Sequence, residues 1–179
     1  MCAWLKQHNR AGKRGNVLVP LFLAVLILLC FVPLSTRLVL SDYRTGKTIC
    51  VLPLRNGETF SIQYTHSVNL SHVTDTLEWA GGALILRTSL FTSFGAGIPV
   101  PADGIGTAIM NTPDGFLLTG IDKPQADNAL LIMLQRVPDH HLLYRDRAIS
   151  LLEMAGSGAL LRLCVRPVSL MTILLHAKA

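Results

Sequence analysis

Hydrophobic and polar residues alternate with a period of two along most of the chain after residue 35, which is typical of β-strands. Turn sequences such as Arg55-Asn56-Gly57 and Pro113-Asp114-Gly115 separate the runs. The pattern predicts an all-β fold, either a single β-sandwich or a partly closed antiparallel barrel of about ten strands. The predicted strands are Thr36–Ser41, Thr48–Leu54, Glu58–His66, Val73–Ala80, Ala83–Phe91, Phe116–Ile121, Ala129–Val137, His141–Tyr144, Ala148–Met154 and Gly158–Val165, and the last apolar run, Val168–Leu175, is expected to pair as well.

The N-terminal segment is different, because Val17–Leu34 carries no charge. As a helix these residues reach about 27 Å, close to the hydrocarbon thickness of a bilayer. Basic residues before the segment predict a cytoplasmic N-terminus. We therefore expect a cytoplasmic basic segment at residues 1–16, a transmembrane signal anchor at 17–35 and an exported β-domain at 36–179. A cleaved signal peptide is the alternative, although its apolar core is commonly only about 7–15 residues long. The basic residues are Lys6, Arg10, Lys13 and Arg14.

The net charge of +5 comes almost entirely from the N-terminal segment. Four of the 16 basic residues precede residue 17, which leaves 12 basic residues against 11 acidic ones in the rest of the chain. The exported part is therefore nearly neutral. It also has no basic stripe with interleaved aromatic residues, and this excludes a nucleic-acid-binding protein.

Cys50 and Cys164 are the two cysteines of the exported part. One disulfide between them would join an early strand to a late one, as an oxidising compartment allows. The alternative is that both are small buried hydrophobic side chains on their strands. Their separation, without a nearby histidine, predicts no zinc site.

A polar spot interrupts the apolar face of three successive strands. Pairing the strands across a Gly-Gly turn sets Asp75 opposite Thr88, and matching the preceding strand by its apolar face sets Tyr64 opposite Asp75. His66 lies one step farther along the same face, so these side chains are expected within about 7 Å of one another. A buried aspartate needs a hydrogen-bonding or charged partner. The spot is either a satisfied core network or a ligand or catalytic pocket in which Asp75 orients His66 as a general base.

The neighbouring pair His140-His141 points its side chains to opposite faces, which predicts one histidine at the surface and one in the core. No set of residues predicts a metal site.

A glycine-rich loop is the second candidate site. The sequence Ser93–Pro99 contains Gly95 and Gly97, which let the backbone turn sharply and expose amide groups to an anion or an oxyanion. The loop lacks the lysine of a phosphate-binding P-loop. Ser93 with His66 and Asp75 has the residue types of a catalytic triad, although nothing in the sequence positions Ser93 against His66. A structural turn packed against the sheet edge is the alternative.

These residues resemble a bacterial family known as domain of unknown function 1850 (DUF1850). Its members show a Tyr-x-His-Ser-Val segment, an acidic residue farther on, and a Phe-Gly-Ala-Gly-Leu-Pro-like loop. The matching positions here are Tyr64–Val68, Asp75 and Phe94–Pro99. Asp75 stands where the family pattern has glutamate, and His72 where proline is usual. A shorter acid needs a closer partner, which leaves the geometry around Asp75 open.

The resemblance implies a role more than a reaction. Genes of the family commonly lie beside those of tripartite ATP-independent periplasmic (TRAP-type) transporters of the TAXI kind, which use a separate solute-binding protein. This implies a single-pass protein of the bacterial inner membrane with a periplasmic domain, and a TRAP-type permease or its solute-binding protein as partner. The family brings no established catalytic residues, and no cofactor is expected.

Three hypotheses follow from these observations. The leading one is a membrane-anchored periplasmic accessory or small-solute-binding component of a TRAP-type transporter. The second is a hydrolytic enzyme that uses a His66/Asp75 dyad, with Ser93 as a further catalytic candidate. The third is a structural envelope domain without a ligand. The candidate ligand-binding residues are Tyr64, His66, Ser67, Asp75, Thr88, Ser93, Gly95 and Gly97.

Overall fold

Antiparallel β-strands contain more than half of the described residues, which confirms the predicted β-rich fold. A computed structural model describes residues 18–67, 70–93 and 104–176. The strands in these ranges are β1 (Pro33–Asp42), β2 (Thr48–Pro53), β3 (Thr59–Thr65), β4 (His72–Ala80), β5 (Ala83–Phe91), β6 (Ala108–Thr112), β7 (Gly115–Thr119), β8 (Lys123–Pro124), β9 (Ala129–Met133), β10 (His141–Tyr144), β11 (Arg147–Ser150) and β12 (Leu160–Ser169). The helices are α1 (Leu18–Leu29), α2 (Leu151–Ala155) and α3 (Leu170–His176), and a 3-10 turn spans Ala126–Asn128.

The strands form two sheets rather than a closed barrel. The smaller sheet has the order β2-β1-β12-β9, and the larger has the order β11-β10-β3-β4-β5-β7-β6, with β8 also paired to β5. The main core lies between them, where Leu38 and Leu163 of the smaller sheet join Phe60, Leu77 and Leu142 of the larger one. Each such fully buried side chain stabilises the fold by about 1.5–3 kcal/mol. Packing of the two inner faces therefore holds the sheets together.

A second, smaller hydrophobic cluster lies farther out on the larger sheet. It consists of Val73 on β4, Phe91 on β5 and Leu118 on β7, all buried. Tyr64 on β3 packs against this cluster and against the main core as well. The larger sheet thus carries two apolar clusters that meet at Tyr64.

The uncharged N-terminal stretch is divided between a helix and a strand. Helix α1 ends at Leu29, and β1 begins at Pro33. Between them, the N–H groups of residues 30–32 donate to the carbonyls three residues earlier, as in a 3-10 turn. A proline disfavours the helical conformation in the residue before it, which explains the end of the helix here. The prediction of one helix through Leu34 was therefore wrong at its C-terminal end. Among the described residues, the structure contains no helix with the length and apolar character needed to cross a membrane.

Two predicted strands near the C-terminus are partly helical. The run Ala148–Met154 divides into β11 and α2, because the hydroxyl of Ser150 accepts from the Glu153 N–H at 3.2 Å and caps a helix. The last run changes from β12 to α3, where the hydroxyl of Ser169 accepts from the Thr172 N–H at 3.2 Å. Strands β6 and β8 were not predicted at all. Two short helices thus replace the expected extended segments.

The possible disulfide between Cys50 and Cys164 is not formed, and both side chains are buried. Strand β1 separates the two cysteines, since it pairs Leu40 with Cys50 and Val39 with Cys164. Two strand spacings amount to about 9.6 Å, whereas a disulfide requires Cα atoms within about 7 Å. Cys50 packs in the main core, whereas Cys164 packs in a separate cluster with Val39, Val51 and Val168. Of the two alternatives that the sequence left open, the structure has the buried, unbridged cysteines.

Candidate functional site

A pocket of about 440 Å³ lies between the inner face of the larger sheet and β9, the edge strand of the smaller sheet. Its lining combines residues of β3, β4 and β5 with residues 130–133 of β9. Aliphatic side chains make up most of the wall. The polar lining residues are Tyr64, Asp75, Gln125 and His140. The combination of apolar walls and a few convergent polar groups is typical of small-molecule sites.

Asp75 is the acidic group of the pocket. It lies on β4 between Ile62 of β3 and Ser89 of β5, and therefore shares the inner face with these residues. The Ser89 hydroxyl donates to Oδ1 at 2.6 Å, and the Tyr64 hydroxyl donates to Oδ2 at 3.3 Å. Burial raises the pKa of Asp75, and the two hydrogen bonds oppose this shift. Burial and the nearby carboxylate raise the pKa of Tyr64, so its hydroxyl stays a donor.

A β-bulge determines which residue of β5 meets Asp75. The predicted pairing holds from the hairpin turn as far as Leu77 and Leu86, but Arg87 is then an extra residue on β5. The guanidinium of Arg87 binds Glu78 at 2.7 Å and Asp122 at 2.5 Å, which holds the bulge. The shift places Ser89 opposite Asp75, while Thr88 pairs with Thr76 on the outer face. The prediction of Thr88 as the partner of Asp75 was therefore wrong by one residue.

The pairing of β3 with β4 also differs from the expected register. Asp75 lies opposite Ile62, and Tyr64 lies opposite Val73, two residues from the predicted pairing. A shift of two residues leaves Tyr64 on the same face of the sheet as Asp75, because side chains alternate between the faces with a period of two. Tyr64 therefore still reaches Asp75, from a diagonal position.

In this register, His66 and Ser93 do not lie opposite Asp75 or next to the residues that do. Each lies four residues beyond the position opposite Asp75 and past the end of its strand, and the side chains that donate to Asp75 are those of Ser89 and Tyr64. His66 follows the end of β3 in a turn, where its N–H donates to the Ser71 carbonyl at 2.7 Å. Ser67 and Ser93 are exposed. The structure thus does not assemble the expected His66/Asp75 dyad or the triad, and Gly95 and Gly97 lie outside the described residues.

His140 is the residue that sequence reasoning missed. Its ring stacks on Tyr64 with 5.4 Å between ring centroids and 28° between planes. The ring Nδ1 is buried and, within the part of the chain that the structure describes, has no hydrogen-bond partner. Burial lowers the pKa of His140, which favours the neutral ring. Its carbonyl accepts from the Leu151 N–H at 3.0 Å, so α2 fixes the histidine just before β10.

The arrangement suits the binding of a polar group. A carboxylate offers about four acceptor positions, and the two hydrogen bonds to Asp75 leave the others for a ligand. The neutral His140 ring offers a second polar atom beside it. No serine, threonine, cysteine or lysine occurs among the described residues that line the pocket, so the lining has no nucleophile of these types. In the described ranges, no three His, Cys, Asp or Glu side chains gather as a metal site requires.

Comparison with known proteins gives one match. A family model described as domain of unknown function (DUF1850) matches residues 60–151. The matched region contains every residue that lines the pocket, from Ile62 to His140. No curated protein and no solved structure matches the chain.

Proposed function

The chain belongs to the DUF1850 family, and from this premise we propose that it is a small-solute-binding accessory component of a TRAP-type transporter. In this proposal the N-terminal apolar segment that contains helix α1 attaches the protein to the inner membrane, and the β-domain faces the periplasm. The solute occupies the pocket between β9 and the larger sheet. The family resemblance supports the association with a transporter, and the pocket supports the binding of a solute.

The single observation that carries the binding function is a buried, incompletely satisfied polar group next to open volume. His140, whose buried Nδ1 has no partner among the described residues, lines a pocket of about 440 Å³ together with Asp75. A buried polar atom without a partner destabilises a fold by about 1–3 kcal/mol. A ligand in the pocket meets the acceptor positions of Asp75 that Ser89 and Tyr64 leave, and a turn of the His140 ring would bring Nδ1 to the same ligand.

The two alternative functions account less well for this geometry. A core network that merely satisfies Asp75 leaves the pocket unfilled and His140 Nδ1 unpaired, whereas protein interiors are close-packed. A hydrolase built on Asp75, His66 and Ser93 needs these groups within hydrogen-bond reach, whereas Asp75 accepts from Ser89 and Tyr64, and His66 and Ser93 follow the ends of their strands. Binding is therefore the function that the site supports best.

Affinity purification tests the transporter role. The tagged full-length protein is isolated from mildly solubilised native membranes, and the co-purifying proteins are identified by mass spectrometry. We expect a TRAP-type permease or its solute-binding protein to be recovered with wild type. Recovery of neither subunit, under conditions where other membrane complexes remain intact, contradicts this role.

Native mass spectrometry of the same preparations tests the solute site. Leu131 lines the pocket and is 55% exposed, so Leu131→Trp changes the lining without replacing a core residue. Met110 on β6 is 54% exposed and does not line the pocket, which makes Met110→Trp the matched control. We expect a bound small molecule in wild type and in the control, and its loss from Leu131→Trp. Equal retention by both variants contradicts the assignment of the pocket.

A further inference from the structure

The charges of the pocket narrow the class of ligand that it can hold. Of the described lining residues, Asp75 is the one acid, and none is lysine or arginine. An anionic ligand would lose its hydration there and meet a carboxylate without a compensating cation. A cationic ligand meets an opposite charge in the same place. The pocket therefore discriminates against carboxylates and phosphates.

The polar atoms of the pocket are suited to accept hydrogen bonds. Asp75 keeps acceptor positions beyond those used by Ser89 and Tyr64, and the neutral His140 ring has one nitrogen that accepts. Gln125 contributes an amide to the same lining. An ammonium group has three N–H donors, which suits such a set of acceptors. The attraction between a buried carboxylate and an ammonium group also offsets part of the cost of removing both charges from water.

The remaining surface of the pocket is aliphatic. Ile62, Leu77 and Leu86 contribute from the larger sheet, and residues 130–133 contribute from β9. Burying apolar area there contributes about 25 cal/mol for each Å² of the ligand. The body of the ligand is therefore expected to be alkyl or aryl.

We infer that the pocket binds a small primary amine in its cationic form, with the ammonium group at Asp75 and His140 and an apolar body against β9. This inference rests on the proposed solute-binding function and specifies its ligand. It assigns Asp75 as the residue that selects for positive charge and His140 as a second hydrogen-bonding partner.

Three probes with one shape and different head groups test the inference. Cyclohexylmethylamine, cyclohexylmethanol and cyclohexanecarboxylate are titrated at pH 7 into full-length protein in nonionic detergent, and binding is measured by calorimetry. We expect the amine to bind at least about tenfold more tightly than the alcohol, and the carboxylate to bind most weakly. Asp75→Asn should lower the affinity for the amine to that for the alcohol. Asp114→Asn, which removes an exposed acid from the β6–β7 turn, should keep the preference.

Several results overturn the inference. Equal binding of amine and alcohol by wild type, or tightest binding of the carboxylate, excludes selection for a cation while the solute-binding function stands. A preference for the amine that survives in a folded Asp75→Asn protein excludes Asp75 as the selecting residue. If Asp75→Asn does not fold, the ranking of the three probes on wild type decides alone. Absence of binding by all three probes overturns the amine assignment, and the Leu131→Trp comparison then decides separately whether the pocket binds a solute.

Discussion

Replacing Ser89 by alanine tests the arrangement around Asp75 most directly. Ser89 is 3% exposed, and its hydroxyl donates to Asp75 Oδ1 at 2.6 Å. Alanine preserves the backbone and Cβ but removes the donor, which leaves the carboxylate with the longer bond from Tyr64 at 3.3 Å. A hydrogen bond to a charged group contributes about 1.5–3 kcal/mol. We expect Ser89→Ala to lower the free energy of unfolding at pH 7 by about that amount.

The adjacent residue provides the matched control. Thr88 lies on the outer face opposite Thr76, because the bulge at Arg87 reverses the sides of the following residues. Thr88→Ala therefore removes a hydroxyl from the same strand without touching Asp75. Its cost should stay below about 1 kcal/mol, the range of strand propensities.

Urea denaturation of the full-length variants in nonionic detergent, followed by circular dichroism, measures both free energies. A change of 1 kcal/mol moves the thermal midpoint of a domain this size by about 2–4 °C, which gives an independent reading. In an Asp75→Asn background the cost of Ser89→Ala should fall to about 0.5–1.5 kcal/mol, since the hydrogen bond is then between neutral groups. A Thr88→Ala variant that loses as much stability as Ser89→Ala would refute the register on which the pocket is built.

Three further predictions concern the pH dependence of stability, a glycine before β6 and the two buried cysteines. Because the pKa of Asp75 is raised in the folded state, stability should decline as the pH rises from about 4 through that folded pKa, and urea midpoints of Asp75→Asn should lack this decline. Gly106→Ala should have a free energy of unfolding about 1–3 kcal/mol lower than that of Gly104→Ala. Both glycines have a φ of +74°, but a Cβ at Gly106 would lie 2.7 Å from the Leu118 side chain. Equal denaturation midpoints of the two variants would contradict this. Cys50 and Cys164 should both react with iodoacetamide when the unreduced protein is denatured, and a disulfide-linked peptide pair found by mass spectrometry would contradict the absence of a bridge between them.

The faces of the strands could be predicted from the sequence, but their alignment could not. A period of two places Tyr64 and Asp75 on the inner face whatever the register, and the structure has them there. The register depends on the bulge at Arg87, whose two ion pairs involve Glu78 and a distant Asp122. Local alternation contains no information about such a long-range contact. The partner of Asp75 was therefore displaced by one residue in the prediction.

His140 and the cysteines show the same limit at the level of topology. His140 reaches the pocket because β10 pairs with β3, which lies far away in the sequence. The cysteine bridge fails because β1 inserts between the strands that carry Cys50 and Cys164. Both outcomes depend on strand order, which the spacing of residues does not determine. The helix caps at Ser150 and Ser169 were local signals, and the alternating pattern around them favoured strands instead.

The position of Tyr64 between the two apolar clusters gives the pocket an influence on strands that do not line it. The same ring packs against the main core, the outer cluster and His140, while its hydroxyl holds Asp75. A bound molecule that restrains this ring adds its binding free energy to the cost of separating the clusters. A bound ligand should therefore suppress partial opening of the strands around the Val73, Phe91 and Leu118 cluster. These strands and those of the main core should then unfold as one cooperative unit.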